Sequence, residues 1–290
     1  MYPFLFNGSK GVICLIGWKT RKEAKIKRGG GLFMKISLPI FLFLSCFVSN
    51  TWAAPSWSRI TQNLEKVGGS AKSLSHLKCF YSQYRNSIFN LSLPSVEAYS
   101  RRCSYEGELR VSDHRYATII DYTLRASKRR MFLIDFKTSD VFPMGVAHGR
   151  FKSGYMRLRT SKNKNSITRA KYFSNTPNTN APSSGFFFAG QEYQGKFGRS
   201  MILHGLEKGI NDNACERAVV IHKHLMVSKR RAYVMSSGCP MVSRSYIDRV
   251  INSLKGEQSG IDLKRPGGVV FIYGPREKKW TRNSCPLSLL

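Results

Sequence analysis

The residues best suited to covalent chemistry are a cysteine in a tight glycine-flanked turn and a histidine seventeen positions before it. The turn reads Ser236-Ser237-Gly238-Cys239-Pro240, and the histidine is His222, which closes the apolar run Ala218-Val219-Val220-Ile221. Only the thiolate of a cysteine attacks efficiently, so a thiol near neutral pH needs a base. An imidazole can take its proton, and the backbone N–H groups of Ser237, Gly238 and Cys239, in a sharp turn that Ser236 opens, can converge on a developing oxyanion. Glycine lets the chain turn and lets a substrate approach the backbone. Cysteine, base and turn together suggest acyl transfer through a thioester. Gly-Cys-Pro by itself also describes a turn holding an inert thiol.

The base has a rival. His224 lies two positions after His222, and a continuing strand would point both to one face. His204 ends the run Met201-Ile202-Leu203, and His148 sits in Val146-Ala147-His148-Gly149. No carboxylate-rich or metal-binding histidine spacing accompanies them, so neither a metal nor another cofactor is expected.

The elements that must position these residues are mostly strands. Tyr116–Tyr122, Met131–Phe136, Gly185–Ala189, Ser200–His204, Arg217–His222 and Gly268–Tyr273 are short β-rich runs. Residues 56–92 are read as helical, with Leu74, Leu77, Tyr81 and Tyr84 on one face. Ser245–Leu254 is a second amphipathic helix, and 159–183 is a polar surface loop. Strands dominate without βαβ alternation, which predicts a β-rich α+β fold with peripheral helices.

Residues 34–53 have the pattern of a signal peptide: Lys35, the apolar stretch Leu38–Val48, and a small-residue cleavage site after Ala53. The stretch is short for a stable membrane span. Residues 1–33 precede it as an over-extended N-terminus, and Leu44-Ser45-Cys46 loosely resembles a lipobox. The remaining divisions are a helical segment (54–112), a catalytic domain (113–275) and a tail (276–290). The expected location is the periplasm or cell envelope.

The chain has 47 Lys and Arg against 17 Asp and Glu, and residues 54–290 keep a net charge of +23. Such a field attracts polyanions. In an exported protein, anionic envelope polymers suit it better than nucleic acid. Five of the seven cysteines follow residue 53, so at least one has no partner within the chain. Cys79–Cys103 is the preferred disulfide, with Cys215 and Cys285 as buried thiols or a second pair.

Ordered motifs then carry a resemblance. Val146-Ala147-His148-Gly149, Tyr193-Gln194-Gly195-Lys196-Phe197-Gly198, Leu203-His204-Gly205-Leu206-Glu207 and Asn211-Asp212-Asn213-Ala214 are followed by Arg217–His222 and Ser236–Pro240. Over about 113–275 the chain resembles the murein L,D-transpeptidase catalytic domain, the YkuD-like family, in its second branch. The resemblance implies a β-sandwich-type catalytic fold and peptidoglycan stem peptides as substrate. Cys239 would be the nucleophile and His222 the base, oriented by the Lys223 carbonyl. His204, His148, Asn211, Arg217 and Tyr193 become candidate substrate-site residues. The implied reaction forms 3–3 cross-links. Stem-peptide hydrolysis at the same site, or an inactive basic wall-binding protein, are the alternatives. Lys223-His224 stand where glycine usually follows the histidine, and Met235 stands where arginine is frequent.

Overall fold

The computed structural model describes residues 55–93, 103–150 and 165–286. The signal-peptide and lipobox segments lie outside them. Residues 54–290 form one compact unit.

Two helices open the described chain, α1 (Trp57–Lys66) and α2 (Ala71–Tyr84). The Ser70 side chain caps α2 by accepting the Ser73 N–H. The apolar stripe holds, with Leu74, Leu77, Phe80 and Tyr81 buried. The helix stops at Tyr84, however, and Ile88–Leu93 is strand β1, paired antiparallel with β2 (Tyr105–Arg110). Phe89, Leu91 and Leu93 alternate with Asn90 and Ser92, a period-two pattern that pairing with β2 selects over helix.

The remaining strands are β3 (Tyr116–Asp121), β4 (Met131–Asp135), β5 (Val141–Met144), β6 (Val146–Gly149), β7 (Gly185–Gly195) and β8 (Gly198–Gly205). After them come β9 (Val220–Lys223), β10 (Met235–Ser236), β11 (Met241–Val242), β12 (Glu257–Ser259), β13 (Asp262–Arg265) and β14 (Val269–Tyr273). Helices α3 (Ile247–Leu254) and α4 (Pro275–Lys278) complete the set. Ten strands form one mixed, curled sheet in the order β10-β6-β11-β9-β8-β7-β14-β3-β4-β5. This is the expected strand-rich architecture, with helices as minor elements.

Alternation along the central strands builds two cores. Phe186, Phe188, Val269 and Phe271 face α1 and α2. Phe187, Ala189, Val270 and Ile272 face the opposite way, with Leu203, Ile221 and α3. Phe271 stacks on Phe186 at 4.2 Å between centroids, and Phe186 on Phe80 of α2 at 4.5 Å. The N-terminal helices are therefore part of the sheet's cover. Among the described residues no helix is long and apolar enough to cross a membrane.

The disulfides differ from the expected pair. Cys79 joins Cys285, and Cys103 joins Cys215. The reason is the path of the C-terminal segment, which returns over α2. There Ser284 accepts at its carbonyl from His76, and Asn283 N–H donates to Ser75. Cys239 is the free cysteine among the described residues.

Candidate active site

Sheet pairing places His222 beside the strand that follows Cys239. Strand β9, carrying His222, runs parallel to β11, which begins two residues after Cys239. The His222 N–H donates to the Pro240 carbonyl at 3.3 Å, so the residue after the cysteine is tied to the backbone of the histidine. His222 and Cys239 both line a cleft of about 410 Å³, together with Arg150, Asn180, Phe197 and Met235.

The turn that carries Cys239 is held by its own side chains. Ser236 Oγ donates to the Cys239 carbonyl at 2.6 Å and accepts the Gly238 N–H at 3.1 Å. Gly238 has φ +126, a conformation that L side chains rarely adopt. A Cβ on Gly149, at the end of β6, would come within 2.5 Å of the Gly238 Cα, so two glycines meet directly beneath the turn. Because the Gly238 N–H is engaged by Ser236, the amides of Ser237 and Cys239 are the turn's other donors.

His222 is buried, and its Nδ1 lies 3.0 Å from the Lys223 carbonyl. A carbonyl only accepts, so Nδ1 carries the proton and Nε2 presents a bare lone pair. Burial lowers the His222 pKa most; the Lys223 bond opposes that, and His224 adds to it. The imidazole is therefore neutral at neutral pH. Phe197, at the tip of the β7–β8 hairpin, stacks on it with centroids 4.4 Å apart.

His224 also lines the cleft, but its Nδ1 accepts the Met226 N–H at 3.1 Å. Its neutral form is then protonated on Nε2, which leaves no free basic nitrogen.

The Cys239 thiol points inward and donates to the Ala218 carbonyl at 3.2 Å. Burial raises its pKa, while the Val220 N–H and the Arg217 charge lower it. Arg217 donates to the Ser174 and Ala181 carbonyls and to Ser183 Oγ, which fixes its charge behind the turn and holds segment 174–183 against it.

The other sequence candidates do not line the cleft. His148 is wholly buried, with Nδ1 2.7 Å from an Arg130 nitrogen and Nε2 2.9 Å from the Ser166 carbonyl. An arginine only donates, so Nδ1 accepts and Nε2–H donates. Burial, aided by Arg130, drives this pKa down to about 3. His204 is buried against the Phe188 ring at 4.7 Å, with its pKa likewise lowered to about 3 by burial. Asn211 is buried and ties the start of β7 to the segment after β8, donating to the Ser184 and Phe186 carbonyls and accepting from the Glu207 N–H. Tyr193 packs on the cluster around Cys103 and Cys215. Phe197, Arg150 and Asn180 are cleft residues that the sequence reading did not single out. Phe197 lies inside a quoted motif, but a hairpin-tip aromatic carries no sign of the ring it covers.

Comparison with known proteins gives the family. The family profile described as L,D-transpeptidase catalytic domain matches residues 91–261. No curated protein matches. Similar solved structures include a point mutant of the helical cell shape determining protein Pgp2 from Campylobacter jejuni. It is 10% identical with a TM-score of 0.36, and the match covers 69% of this chain and 56% of that one. Another is an L,D-transpeptidase (Yku) from Stackebrandtia nassauensis, 9% identical with a TM-score of 0.30, matched over 74% of this chain and 76% of that one. The chain thus spans little more than half the Campylobacter protein. The family match extends over more than half of the present chain and contains both Cys239 and His222, and on that basis the chain belongs to the L,D-transpeptidase catalytic domain family.

Proposed function

We propose that the protein is an exported L,D-transpeptidase acting on peptidoglycan stem peptides through Cys239 and His222. Family membership supports a role in peptidoglycan remodelling. One observation carries the finer reading. A free cysteine and a buried neutral histidine, its Nδ1–H held by the Lys223 carbonyl, line one cleft.

The S–H leaves the Ala218 carbonyl and passes its proton to His222 Nε2. Breaking that hydrogen bond costs about 1 kcal/mol net. The thiolate attacks the carbonyl joining the third stem residue to D-alanine. Amides of Ser237 and Cys239 receive the oxyanion; losing one such donor typically costs about 10²–10³ in rate. The tetrahedral intermediate collapses, the C–N bond breaks, and D-alanine leaves with the imidazolium proton. A thioester remains on Cys239. A side-chain amine of a neighbouring stem then gives its proton to His222, attacks the thioester carbonyl and releases the thiol, forming a 3–3 cross-link. Among the described residues no acidic side chain lines the cleft, and Arg150 is a cation there suited to substrate carboxylates.

Export is supported by the two disulfides, which form and persist in oxidising compartments. Incubation with disaccharide-tetrapeptides tests the reaction. Cross-linked dimers with loss of D-alanine are expected. Tripeptides alone identify a hydrolase, and unchanged substrate identifies a protein without catalysis.

A further inference from the structure

The basic run Lys229-Arg230-Arg231 has no part in the chemistry above. It lies in the connection from β9 to β10, whose two ends, His224 and Met235, line the catalytic cleft. The run is not a loose loop. Ser228 N–H donates to the Arg231 carbonyl, and Ser228 Oγ accepts the N–H groups of Arg230 and Arg231. Val227 and Ala232 form a β-bridge at its base. Gly145, between β5 and β6, donates to the Lys229 carbonyl at 3.0 Å, and a Cβ there would come within 2.8 Å of the Ser228 carbonyl. A missing side chain thus lets the basic turn press onto the sheet edge.

The turn makes one wall of a second cavity, of about 280 Å³. Arg129, Lys229, Arg230 and Arg249 bring four positive charges to it, and Phe142 and Tyr246 supply aromatic surface. The Arg249 guanidinium sits 4.6 Å above the Phe142 ring. Among the described residues no acidic side chain lines the cavity, and none of the four cations pairs with a carboxylate. The four exposed cations give this face a positive potential that attracts an anion. Three guanidinium groups and an ammonium line it and can donate to an anion with several oxygens. The volume exceeds one phosphate, and the aromatic surface suits the organic group attached to it.

We propose that this cavity is a phosphate-ester binding site that anchors the protein on a phosphate-bearing anionic polymer beside the cleft. The proposal does not depend on the reaction assigned to Cys239.

The test is titration of the full chain with linear inorganic polyphosphate and, separately, with phosphatidylglycerol vesicles. Three proteins are compared: wild type, a cavity variant (Lys229→Ala, Arg230→Ala, Arg249→Gln) and a charge-matched control (Arg59→Gln, Lys66→Gln, Lys78→Gln). The control residues are exposed on α1 and α2. The cavity variant is expected to bind polyphosphate at least about tenfold more weakly, because each lost phosphate contact removes a counterion-release contribution. The control is expected to stay within about threefold. Wild-type binding to vesicles but not to polyphosphate, lost in the cavity variant, assigns the phosphate to a lipid headgroup and overturns the polymer as its source. Equal losses in both variants reduce the effect to net charge and overturn the site. Equal affinity of the wild type for polyglutamate overturns phosphate recognition. Melting temperatures report folding, and the single variant Arg249→Gln repeats the comparison if the triple variant unfolds.

Discussion

The Cys239 thiol donates to the carbonyl of Ala218, a non-glycine residue held at φ +52. A left-handed conformation of this kind costs on the order of 1 kcal/mol and persists only where its surroundings enforce it. Here it aims a carbonyl at the Cys239 thiol. The resting site is thus a neutral thiol on a backbone acceptor beside a neutral imidazole, rather than a thiolate–imidazolium pair.

That resting state has a pH signature. Burial raises the Cys239 pKa, so the midpoint of alkylation by iodoacetamide should lie above the ordinary cysteine range. Arg217→Gln removes a charge that favours the thiolate and should move the midpoint higher still. A wild-type midpoint below the ordinary value would establish a pre-formed ion pair instead.

Phe197 shields His222, whose pKa burial already lowers. Phe197→Ala admits water, stabilises the imidazolium and raises that pKa. The acid limb of the kcat/KM profile should shift to higher pH, with the largest loss of activity below about pH 6.5. An unchanged acid limb would separate Phe197 from the base.

The turn carrying Ala218 is fastened by a disulfide. Cys215 bonds Cys103, and the Cys215 carbonyl accepts the Ala218 N–H at 2.7 Å. Replacing Cys103 and Cys215 by serine should slow Cys239 acylation as well as lower stability, by up to about 4–5 kcal/mol for a loop of this length. Replacing Cys79 and Cys285 should lower stability while leaving the acylation rate of folded protein nearly intact, because that bridge ties α2 to the C-terminal segment. Stopped-flow labelling beside urea melts separates the two effects.

His148 and His204 link stability to acid. Each is held neutral in the fold, with a pKa near 3, against about 6.5 when unfolded. Between those values the unfolded chain binds the extra proton, so stability falls as pH drops below about 6.5. Each histidine contributes a loss of roughly 1.5 kcal/mol between pH 6.5 and 5. Asp121 and Glu207, whose pKa values burial raises, act in the opposite sense. Comparing wild type with His204→Phe isolates one histidine: the variant should lose less stability over this range. Equal slopes would contradict a neutral His204.

Much of the site could be read from the sequence because it is local. The Ser236–Pro240 turn and the strand carrying His222 each announce themselves within a few residues. The stripe on α2 and the central strands follow from periodicity. The rest depends on long-range pairing. Disulfide partners were set by the return of the C-terminal segment over α2, which no spacing reveals. Ile88–Leu93 became a strand because β2 was there to pair with it. His148 and His204 are candidate substrate-site residues by resemblance and serve as buried neutral braces in the fold. Phe197 and the Arg249–Phe142 contact arise only when a hairpin tip and a helix reach distant strands.

The central claim is acylation of Cys239 by a stem peptide. It is tested most directly by intact-mass analysis of the protein quenched during turnover of a disaccharide-tetrapeptide. A tripeptide acyl adduct is expected on the wild type, none on Cys239→Ala, and formation slowed by about 10²-fold or more on His222→Ala. No adduct on any protein while D-alanine is released, or the same adduct on Cys239→Ala, would contradict the account.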